Sequence, residues 1–398
     1  MSDKSNKETI IIVCPFNPFP PYFGGAARVF NLARFLSDYF YVIIVCNDLV
    51  QVDCCERDSQ FYMHALEREG VKIKMVKAFS RYSQIFNPLL AFYLLLAIKT
   101  SKARVVLVEF PWLGFISLIV CRITGAILII DEHNVEFQRF ERIKKGNRIS
   151  RFLLKLYEGF LLRSAAKVFC VSKPDRELII STFKVPKERV LLVRNGVDSA
   201  VLRMNACDKL TSRKKIGLPI HDPVYLFHGK LDYAPNKQAV DIIKRELAPR
   251  VKKFHPSALF VIAGDNPPLD VCNDPTFIFT GIYPNIAELI SGCDVVICPL
   301  KSGGGTRIKI LEAIFCGRPV VSTGIGAEGL ERDSFGDWLQ ITDDWDKFSE
   351  LMVKLATRPN EFKYLIPYDL HEYDWRYIVR GVVNDILSYL EKGSITVP

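Results

Sequence analysis

The stretch VVICPLKSGGGTRIKILEA (residues 295–313) joins three kinds of local structure. Its β-branched start predicts a buried strand near Val295–Cys298, the glycines predict a tight loop, and the periodic apolar residues after the loop predict a helix. A strand, a glycine loop and a helix in this order form the repeating unit of a doubly wound α/β domain. Ligands bind such sheets beyond the carboxyl ends of the strands, so the stretch also indicates a candidate site.

The same alternation of strand and helix runs along all 398 residues. Continuous apolar strands separated by helices are typical of parallel sheets that are covered on both faces. A chain of this length can bury two cores, and the turn Arg194–Asp198 (RNGVD) marks the break between them. Strands are predicted near Ile10–Val13, Val42–Val45, Ile73–Val76, Val105–Val108, Ile127–Ile130, Val168–Val171, Val190–Val193, Tyr225–Phe227, Leu259–Ala263, Phe277–Thr280, Val295–Cys298 and Val320–Ser322.

The composition is that of a globular protein, with 49% hydrophobic and 24% charged residues. The net charge of +9 suits anionic small molecules or an anionic lipid surface. No long Lys/Arg block with interleaved aromatic residues is present, which argues against nucleic acid. The eleven cysteines are scattered without C-x-x-C pairs and the chain starts without a secretory signal pattern, so we expect reduced thiols and a cytoplasmic protein.

Three apolar segments bear on membrane association. Pro88–Ile98 (PLLAFYLLLAI) is too short to span a bilayer, and Leu113–Ile130 is interrupted by Arg122 and Gly125, so both are predicted to be buried helix and strand. The segment Lys144–Arg163 is a basic amphipathic helix that either rests on an anionic membrane surface or is a solvated face. Its basic residues are Lys144, Lys145, Arg148, Arg151, Lys155 and Arg163, and its apolar residues are Phe152, Leu153, Leu156, Phe160 and Leu161.

The glycine loop carries the strongest chemical signal. Three consecutive glycines let backbone N–H groups approach an anion, and the start of the helix adds partial positive charge. Arg307 and Lys309 lie in the first turn, where cations are unfavourable unless something negative is bound, so the pattern predicts a phosphate site. Glu312 falls on the apolar side of the helix and needs a polar partner such as a ribose or sugar hydroxyl. The alternative is a flexible surface loop in which Glu312 forms a salt bridge.

These motifs resemble those of the family 4 retaining glycosyltransferases of GT-B fold, in the branch with a GGGTRIKILEA-like stretch. The resemblance covers nearly the whole chain, because other matching pieces occur in the family order: FGGAARVFNLA, DEHNVE, VSKPDRE, RNGVD, FHGKLDYAPN, VIAGDNP, CDVVICPL and GRPVVSTGIGAEGL. It implies two Rossmann-like domains whose parallel sheets face a central cleft. Residues 1–194 would be the acceptor domain, completed by a C-terminal helix at 376–398, and residues 195–375 the nucleotide-sugar-binding domain.

The resemblance also assigns roles in the second domain. Glu312 matches the second, ribose-binding glutamate of an E-x7-E motif, whereas the first glutamate would fall at Gly304 and is absent. The family grips the donor diphosphate with an arginine and a lysine; here Lys230 stands for the arginine and Pro235 replaces the lysine. Arg307 and Lys309 are therefore predicted to substitute as cations, while Lys230 is either a donor contact or a solvated loop lysine.

In the first domain Gly24 and Gly25 resemble the family's first glycine loop, and His133 resembles a donor-sugar contact; the alternative for His133 is a turn or cap residue. Asp343, Asp344 and Asp346 are predicted to cap a helix rather than to bind a metal. The predicted catalytic residues are His133 and Glu312, no metal ligand is predicted, and the predicted donor-binding residues are Gly25, Lys230, Gly304, Gly305, Thr306, Arg307, Lys309 and Glu312.

The sequence therefore predicts a glycosyltransferase that moves a sugar, with retention and without a metal, from a UDP- or GDP-type nucleotide-sugar to a glycan or lipid-linked acceptor. The nucleotide-sugar is a substrate, so no cofactor is predicted. A cytoplasmic location, peripheral on the inner face of the membrane, fits the basic helix. The alternative is a non-catalytic protein of the same fold that binds a nucleotide-sugar or a partner protein. A nicotinamide-dependent oxidoreductase is disfavoured because the first loop reads GGAAR instead of G-x-G-x-x-G.

Overall fold

A computed structural model describes residues 7–50, 56–142, 147–266, 274–303, 306–357 and 368–393. The chain divides into two compact units. Unit 1 comprises Met1–Asn195 together with Trp375–Pro398, and unit 2 comprises Gly196–Asp374.

Unit 1 contains a seven-stranded sheet in the order β3-β2-β1-β4-β5-β6-β7, in which every neighbouring pair is parallel. The order reverses between β1 and β4, so the loops after these two strands diverge and leave room for a ligand. The strands are β1 Thr9–Cys14, β2 Tyr41–Asn47, β3 Lys72–Val76, β4 Val105–Glu109, β5 Ile127–Glu132, β6 Lys167–Cys170 and β7 Val190–Leu192.

Helices cover both faces of this sheet. The core on one face includes residues of α1 and α15, and the core on the other includes residues of α3, α4, α6 and α7. The helices of unit 1 are α1 Gly24–Leu36, α2 Glu56–Arg68, α3 Pro88–Ser101, α4 Gly114–Thr124, α5 Glu136–Arg142, α6 Arg148–Ser164, α7 Lys173–Phe183 and α15 Trp375–Gly393.

Unit 2 contains a six-stranded parallel sheet in the order β10-β9-β8-β11-β12-β13, which reverses between β8 and β11. Its strands are β8 Val224–His228, β9 Leu259–Ala263, β10 Phe277–Gly281, β11 Val295–Cys298, β12 Val320–Ser322 and β13 Leu339–Ile341. Its helices are α8 Ser199–Asn205, α9 Lys209–Ile216, α10 Ala234–Ile242, α11 Ala248–Lys252, α12 Ile286–Gly292, α13 Ile308–Phe315 and α14 Trp345–Ala356, with a π-helical turn at Ile243–Leu247 between α10 and α11.

The two predicted Rossmann-like domains with parallel sheets are confirmed, and all twelve predicted strands are present within one or two residues of their bounds. β13 was not predicted. It is a three-residue strand, Leu-Gln-Ile, at the edge of its sheet, and its last two residues are only half-buried. So short a stretch lacks the continuous apolar run that marks a central strand.

The prediction that Pro88–Ile98 is a buried helix is confirmed for the helix, whereas its burial is only partial. Leu90, Leu94 and Ile98 are buried, whereas Phe92 and Leu96 are exposed. Arg81–Ser101, which adds the preceding turn, is the one described stretch long and apolar enough by length and composition to cross a membrane, and 28% of its most apolar window is buried. Length and composition alone are weak evidence for a span. A helix that is apolar all round does not reveal in its sequence which side faces the core.

Candidate functional sites

The phosphate-site prediction falls at the switch point of the sheet in unit 2. β11 ends at Cys298, and α13 begins at Ile308 after the glycine loop. Gly304 and Gly305 lie outside the described residues, so their predicted roles stay predictions. Arg307 is the N-cap residue of α13 and no side chain caps this helix end, which leaves its first N–H groups for another acceptor. Such a helix end favours a bound anion.

Lys309 reaches from α13 to the loop that follows β8. Its Nζ lies 3.4 Å from Asn236 Oδ1 and 4.2 Å from the centroid of the Phe227 ring. Gly229 makes this approach possible, because a Cβ there would lie 3.0 Å from Lys309 Nζ, and its φ of +144° also favours glycine. Lys309 therefore stands beside the loop in which the resemblance places the family's diphosphate-binding cations.

Burial, followed by the nearby Arg307, lowers the pKa of Lys309 to about 8. Two cations this close repel each other, and desolvation disfavours the charge on each of them. Arg307 folds back over the loop, with Nη2 2.8 Å from the position that a Cβ of Gly303 would take. A bound anion would relieve both costs, which is the physical basis for the predicted phosphate site.

Glu312 lies one turn further along α13. Its Oε2 is 3.8 Å from His228 Nε2, too far for a hydrogen bond, and its side chain is 23% exposed. Burial raises the pKa of Glu312 to about 7, while burial and Lys309 lower the pKa of His228 to about 3. A neutral imidazole and a half-buried carboxyl group without a close partner leave hydrogen-bonding capacity for hydroxyl groups.

Two further polar side chains belong to the description of this site. The hydroxyl of Thr306 is buried without a hydrogen-bond partner among the described residues. Lys230, in contrast, forms an ion pair with Asp232, its Nζ lying 3.4 Å from Oδ2. The Thr306 hydroxyl therefore has no described partner, and Lys230 pairs with Asp232 in the loop whose Asn236 Lys309 contacts.

A second polar cluster lies at the carboxyl ends of the central strands of unit 1. Glu109 ends β4, Asp131 lies in β5 opposite Glu109, and His133 follows β5. His133 Nε2 lies 2.6 Å from Glu109 Oε2. Arg28 in α1 donates to both oxygens of Asp131, at 2.7 and 2.8 Å. All four side chains are buried.

This cluster also joins the two ends of unit 1. Arg28 Nη1 donates to Asn195 Oδ1 at 3.0 Å and to the carbonyl of Arg194, and the guanidinium carbon lies 5.9 Å from the ring centroid of Trp375. Buried Arg28 therefore connects α1 with residues 194–195 and with Trp375, the first residue of α15. The sequence motif GGAAR gave no reason to select Arg28.

Glu109, Asp131 and His133 offer one ligand atom each within 4.8 Å of one another, a spacing that a metal ion accepts. However, both oxygens of Asp131 already accept hydrogen bonds from Arg28, and the guanidinium charge repels a cation. The direct contact between His133 and Glu109 uses one atom of each. Glu109, Asp131 and His133 therefore form a hydrogen-bonded network in which Arg28 is the cation.

Comparisons with known proteins assign both units to one class. Residues 23–201 match the model described as Glycosyltransferase Family 4, and residues 222–358 match the one described as Glycosyl transferases group 1. Both units therefore match glycosyltransferases, and the two-domain fold is that of the GT-B class. These matches support the predicted resemblance to the family 4 glycosyltransferases, while the GGGTRIKILEA-like branch and the retaining mechanism stay predictions.

Among curated relatives, the uncharacterized glycosyltransferase MJ1607 of Methanocaldococcus jannaschii is 26% identical over 55% of this chain and 59% of its own length, so the match spans less than two thirds of that relative. UDP-Gal:alpha-D-GlcNAc-diphosphoundecaprenol alpha-1,3-galactosyltransferase of Escherichia coli is 24% identical over 84% of this chain and 86% of its own. The crystal structure of Anabaena Alr3699/HepE in complex with UDP-glucose matches with a TM-score of 0.69 at 15% identity, over 95% of this chain and 99% of that one, and shows the fold.

The predicted site residues of the glycosyltransferase fall into two groups. Within unit 2 the structure brings Lys309, Arg307, Thr306 and Glu312 together at the start of α13, and Lys230 forms an ion pair with Asp232 in the adjoining loop after β8. Within unit 1 it brings Gly25 and His133 together, because a Cβ on Gly25 would lie 3.6 Å from His133 Nδ1. Asp344 caps α14 by accepting from the Lys347 N–H at 2.8 Å, as predicted, while Asp343 accepts from the Gly324 N–H.

Sequence reasoning missed Arg28, Glu109, His228 and Asn236. A signal existed for two of them, because Glu109 and His228 each come directly after a predicted parallel strand, where ligand contacts are expected. Arg28 and Asn236 lie on helices, and only the packing of those helices on the sheet shows that they face a site.

Proposed function

We propose that this protein transfers a sugar from a UDP- or GDP-type nucleotide-sugar to a glycan or lipid-linked acceptor, with retention of configuration and without a metal. One observation carries the proposal: Lys309 and Arg307 stand together at an uncapped helix start after a glycine loop, with Glu312 one turn on. A diphosphate with an attached ribose would offer negative charge to the two cations and hydroxyl groups to Glu312.

In this mechanism the chain's own cations stabilise the reaction. Negative charge builds on the leaving diphosphate as the bond to the sugar breaks, and positioned cations lower the barrier most when they act where charge develops. Glu312 would accept hydrogen bonds from the ribose hydroxyls and fix the nucleotide. The described residues place no carboxylate as an obvious covalent nucleophile, so we favour front-face transfer in which the leaving diphosphate assists deprotonation of the acceptor hydroxyl.

The test is a panel of nucleoside diphosphates and nucleotide-sugars, measured by thermal shift and then by product formation. We expect stabilisation by one base class, transfer to a hydroxyl acceptor, an unchanged anomeric configuration in the product and no loss of activity in EDTA. A metal-reversible loss would contradict metal independence. Tight binding with no transfer to any acceptor would favour a non-catalytic binding protein. The absence of the first motif glutamate, whose position is taken by Gly304, is the reason for testing this outcome.

For the acceptor, the outer surface of unit 1 favours a lipid-linked molecule. α4 packs between α3 and α6, and Phe115 of α4 lies 6.5 Å from Phe160 of α6, centroid to centroid. We call the exposed side chains of these helices the apolar face. Its members are Phe92, Leu96, Phe115, Ile119, Ile123, Ile149, Phe152, Leu153, Leu156 and Phe160.

Exposed cations lie on the same three helices. They are Lys99, Arg122, Arg148, Lys155 and Arg163; Lys144 and Lys145, which the sequence analysis grouped with them, lie outside the described residues. Apolar side chains combined with cations favour an anionic membrane surface over solvent, as in interfacial helices. This supports a peripheral protein on the cytoplasmic side with a lipid-linked acceptor such as the one named for the E. coli relative.

Co-sedimentation with anionic liposomes tests this part of the proposal. Each basic residue near an anionic surface contributes about 1 kcal/mol, so an R148Q/R151Q/K155Q variant should bind roughly a hundredfold more weakly at low salt. The matched control K187Q/K214Q/K253Q removes the same charge from exposed positions elsewhere and should bind like the parent. If the parent stays in the supernatant at low salt, the apolar face does not dock on lipid and the acceptor is soluble.

A further inference from the structure

The imidazole of His133 is fixed from three sides. Its Nε2 contacts Glu109 Oε2 at 2.6 Å, and the ring of Phe110 stacks on it with 3.9 Å between centroids. Its third side, the Nδ1 edge, faces the bare Cα of Gly25. A Cβ on Gly25 would lie 3.1 Å from Phe110 Cζ and 3.6 Å from His133 Nδ1. Glycine at this position therefore keeps the Nδ1 edge clear of side chains.

Backbone strain marks the same place. Phe110 has a φ of +64°, a left-handed conformation that bulky residues rarely adopt. Its N–H donates to the Asp131 carbonyl at 3.0 Å, which holds the unusual conformation in place. Strain of this kind persists where the surrounding structure enforces it, and it concentrates at functional sites. Here it places the Phe110 ring flat against His133.

The charges around His133 determine where its proton lies. Arg28 and Asp131 form a neutral pair, and the thiols of Cys14 in β1 and Cys170 in β6, whose pKa burial raises, are uncharged. One proton shared by Glu109 and His133 makes the whole buried cluster neutral, which desolvation favours. Burial raises the pKa of Glu109 well above its usual value and lowers the pKa of His133 to about 3.

The Nδ1 atom of His133 carries a hydrogen in both positions of the shared proton. With the proton on Glu109, the carboxyl donates to Nε2 and the ring hydrogen must be on Nδ1. With the proton on Nε2, the ring is an imidazolium and Nδ1 still carries its hydrogen. Two other arrangements would leave Nδ1 as an acceptor. An ionised Glu109 beside a neutral ring places an uncompensated charge in the core. A neutral Glu109 that donates to Asp131 and accepts from Nε2–H is disfavoured by the 2.6 Å contact between Nε2 and Oε2, which is shorter than a neutral N–H···O hydrogen bond.

We propose that Glu109 is a positioning residue that holds the hydrogen of His133 on Nδ1, so that His133 donates a hydrogen bond across the Gly25 loop to an oxygen of the sugar substrate and does not act as a general base. The inference deepens the proposed transfer reaction and rests on it for the identity of the substrate. The placement of the proton does not depend on that reaction.

Two variants separate positioning from simple packing. In E109Q the amide N–H can donate to Nε2 and keep the hydrogen on Nδ1. In E109L no such donor exists, and the nearest group to Nε2 is the ionised Asp131, with Oδ2 at 3.8 Å, so the hydrogen should move to Nε2. We expect kcat to fall about tenfold or more in E109L and to stay within about threefold in E109Q. Binding of nucleoside diphosphate to unit 2 should be the same in both.

Nitrogen NMR of protein labelled in its six histidines gives the decisive readout, with H133N identifying the signals. We expect the parent and E109Q to show a protonated Nδ1 from pH 5.5 to 8.5, and E109L to show a protonated Nε2. A hydrogen-free Nδ1 in the parent, or an E109L variant that transfers as fast as E109Q, would overturn the inference. A parent without any transferase activity would refute the proposed function, while the NMR comparison would still decide whether Glu109 fixes the proton.

Discussion

The two polar clusters differ in how completely their charged side chains are paired within the cluster. In unit 1, Arg28 neutralises Asp131 and Glu109 contacts His133 at 2.6 Å, all with buried side chains. In unit 2, Lys309 has an amide oxygen at 3.4 Å, and Glu312 lies 3.8 Å from an uncharged imidazole. The first is a closed network that stabilises the fold. The second, which we call the open cluster, places two cations, Arg307 and Lys309, at a helix start where an anionic ligand can bind.

The largest effect should come from breaking the closed network. R28M leaves Asp131 buried without its cation, which should lower the free energy of unfolding of unit 1 by about 3–5 kcal/mol. Urea denaturation followed by tryptophan fluorescence measures this change. The control is R34M on the same helix, whose ion pair with Glu69 is partly exposed and is worth about 1 kcal/mol or less. Equal effects of the two substitutions would show that the Arg28 network does not stabilise unit 1.

The opposite behaviour is expected for the open cluster. K309M should weaken nucleoside diphosphate binding by about 1.5–3 kcal/mol, roughly 10- to 150-fold, because it removes a charge-assisted hydrogen bond. Its thermal stability should stay the same or rise, since a desolvated ammonium is lost. Calorimetric titration measures the affinity, and K214M, which removes an exposed lysine of α9, is the control with an expected change below about threefold. A K309M variant that binds like the parent would place the phosphate site elsewhere.

The smallest and sharpest test is the pH dependence of nucleoside diphosphate binding. Glu312, with a pKa of about 7, must be ionised to accept ribose hydroxyls, so affinity should rise as pH increases toward 7. Lys309, with a pKa of about 8, must be protonated, so affinity should fall above pH 8. The optimum should lie between these values, with a change of at most about tenfold per pH unit on either side.

E312Q identifies the source of the acid limb. The terminal phosphate of the ligand itself titrates near pH 6 and contributes to the loss of affinity at low pH. Removing the carboxyl should therefore weaken binding and flatten the profile between about pH 6 and 7, while the decline above pH 8 stays. An acid limb that is the same in E312Q and the parent would show that Glu312 does not bind the ribose.

The sequence by itself determined the two parallel sheets, since buried parallel strands are continuous apolar runs that local composition reveals. It also selected Lys309, Arg307 and Glu312. Cations in the first turn of a helix are unfavourable for the helix dipole, and a carboxylate on its apolar side needs a polar partner. It also selected His133, but not the partners that surround it, Glu109, Asp131 and Arg28. Glu109 and Asp131 become neighbours only through the register of β4 and β5, and Arg28 reaches them only because β1 lies beside β4. It also did not show that α3 exposes one side, because an all-apolar helix carries no outward polar stripe. Tertiary structure decided these features because they depend on which distant segments pack together.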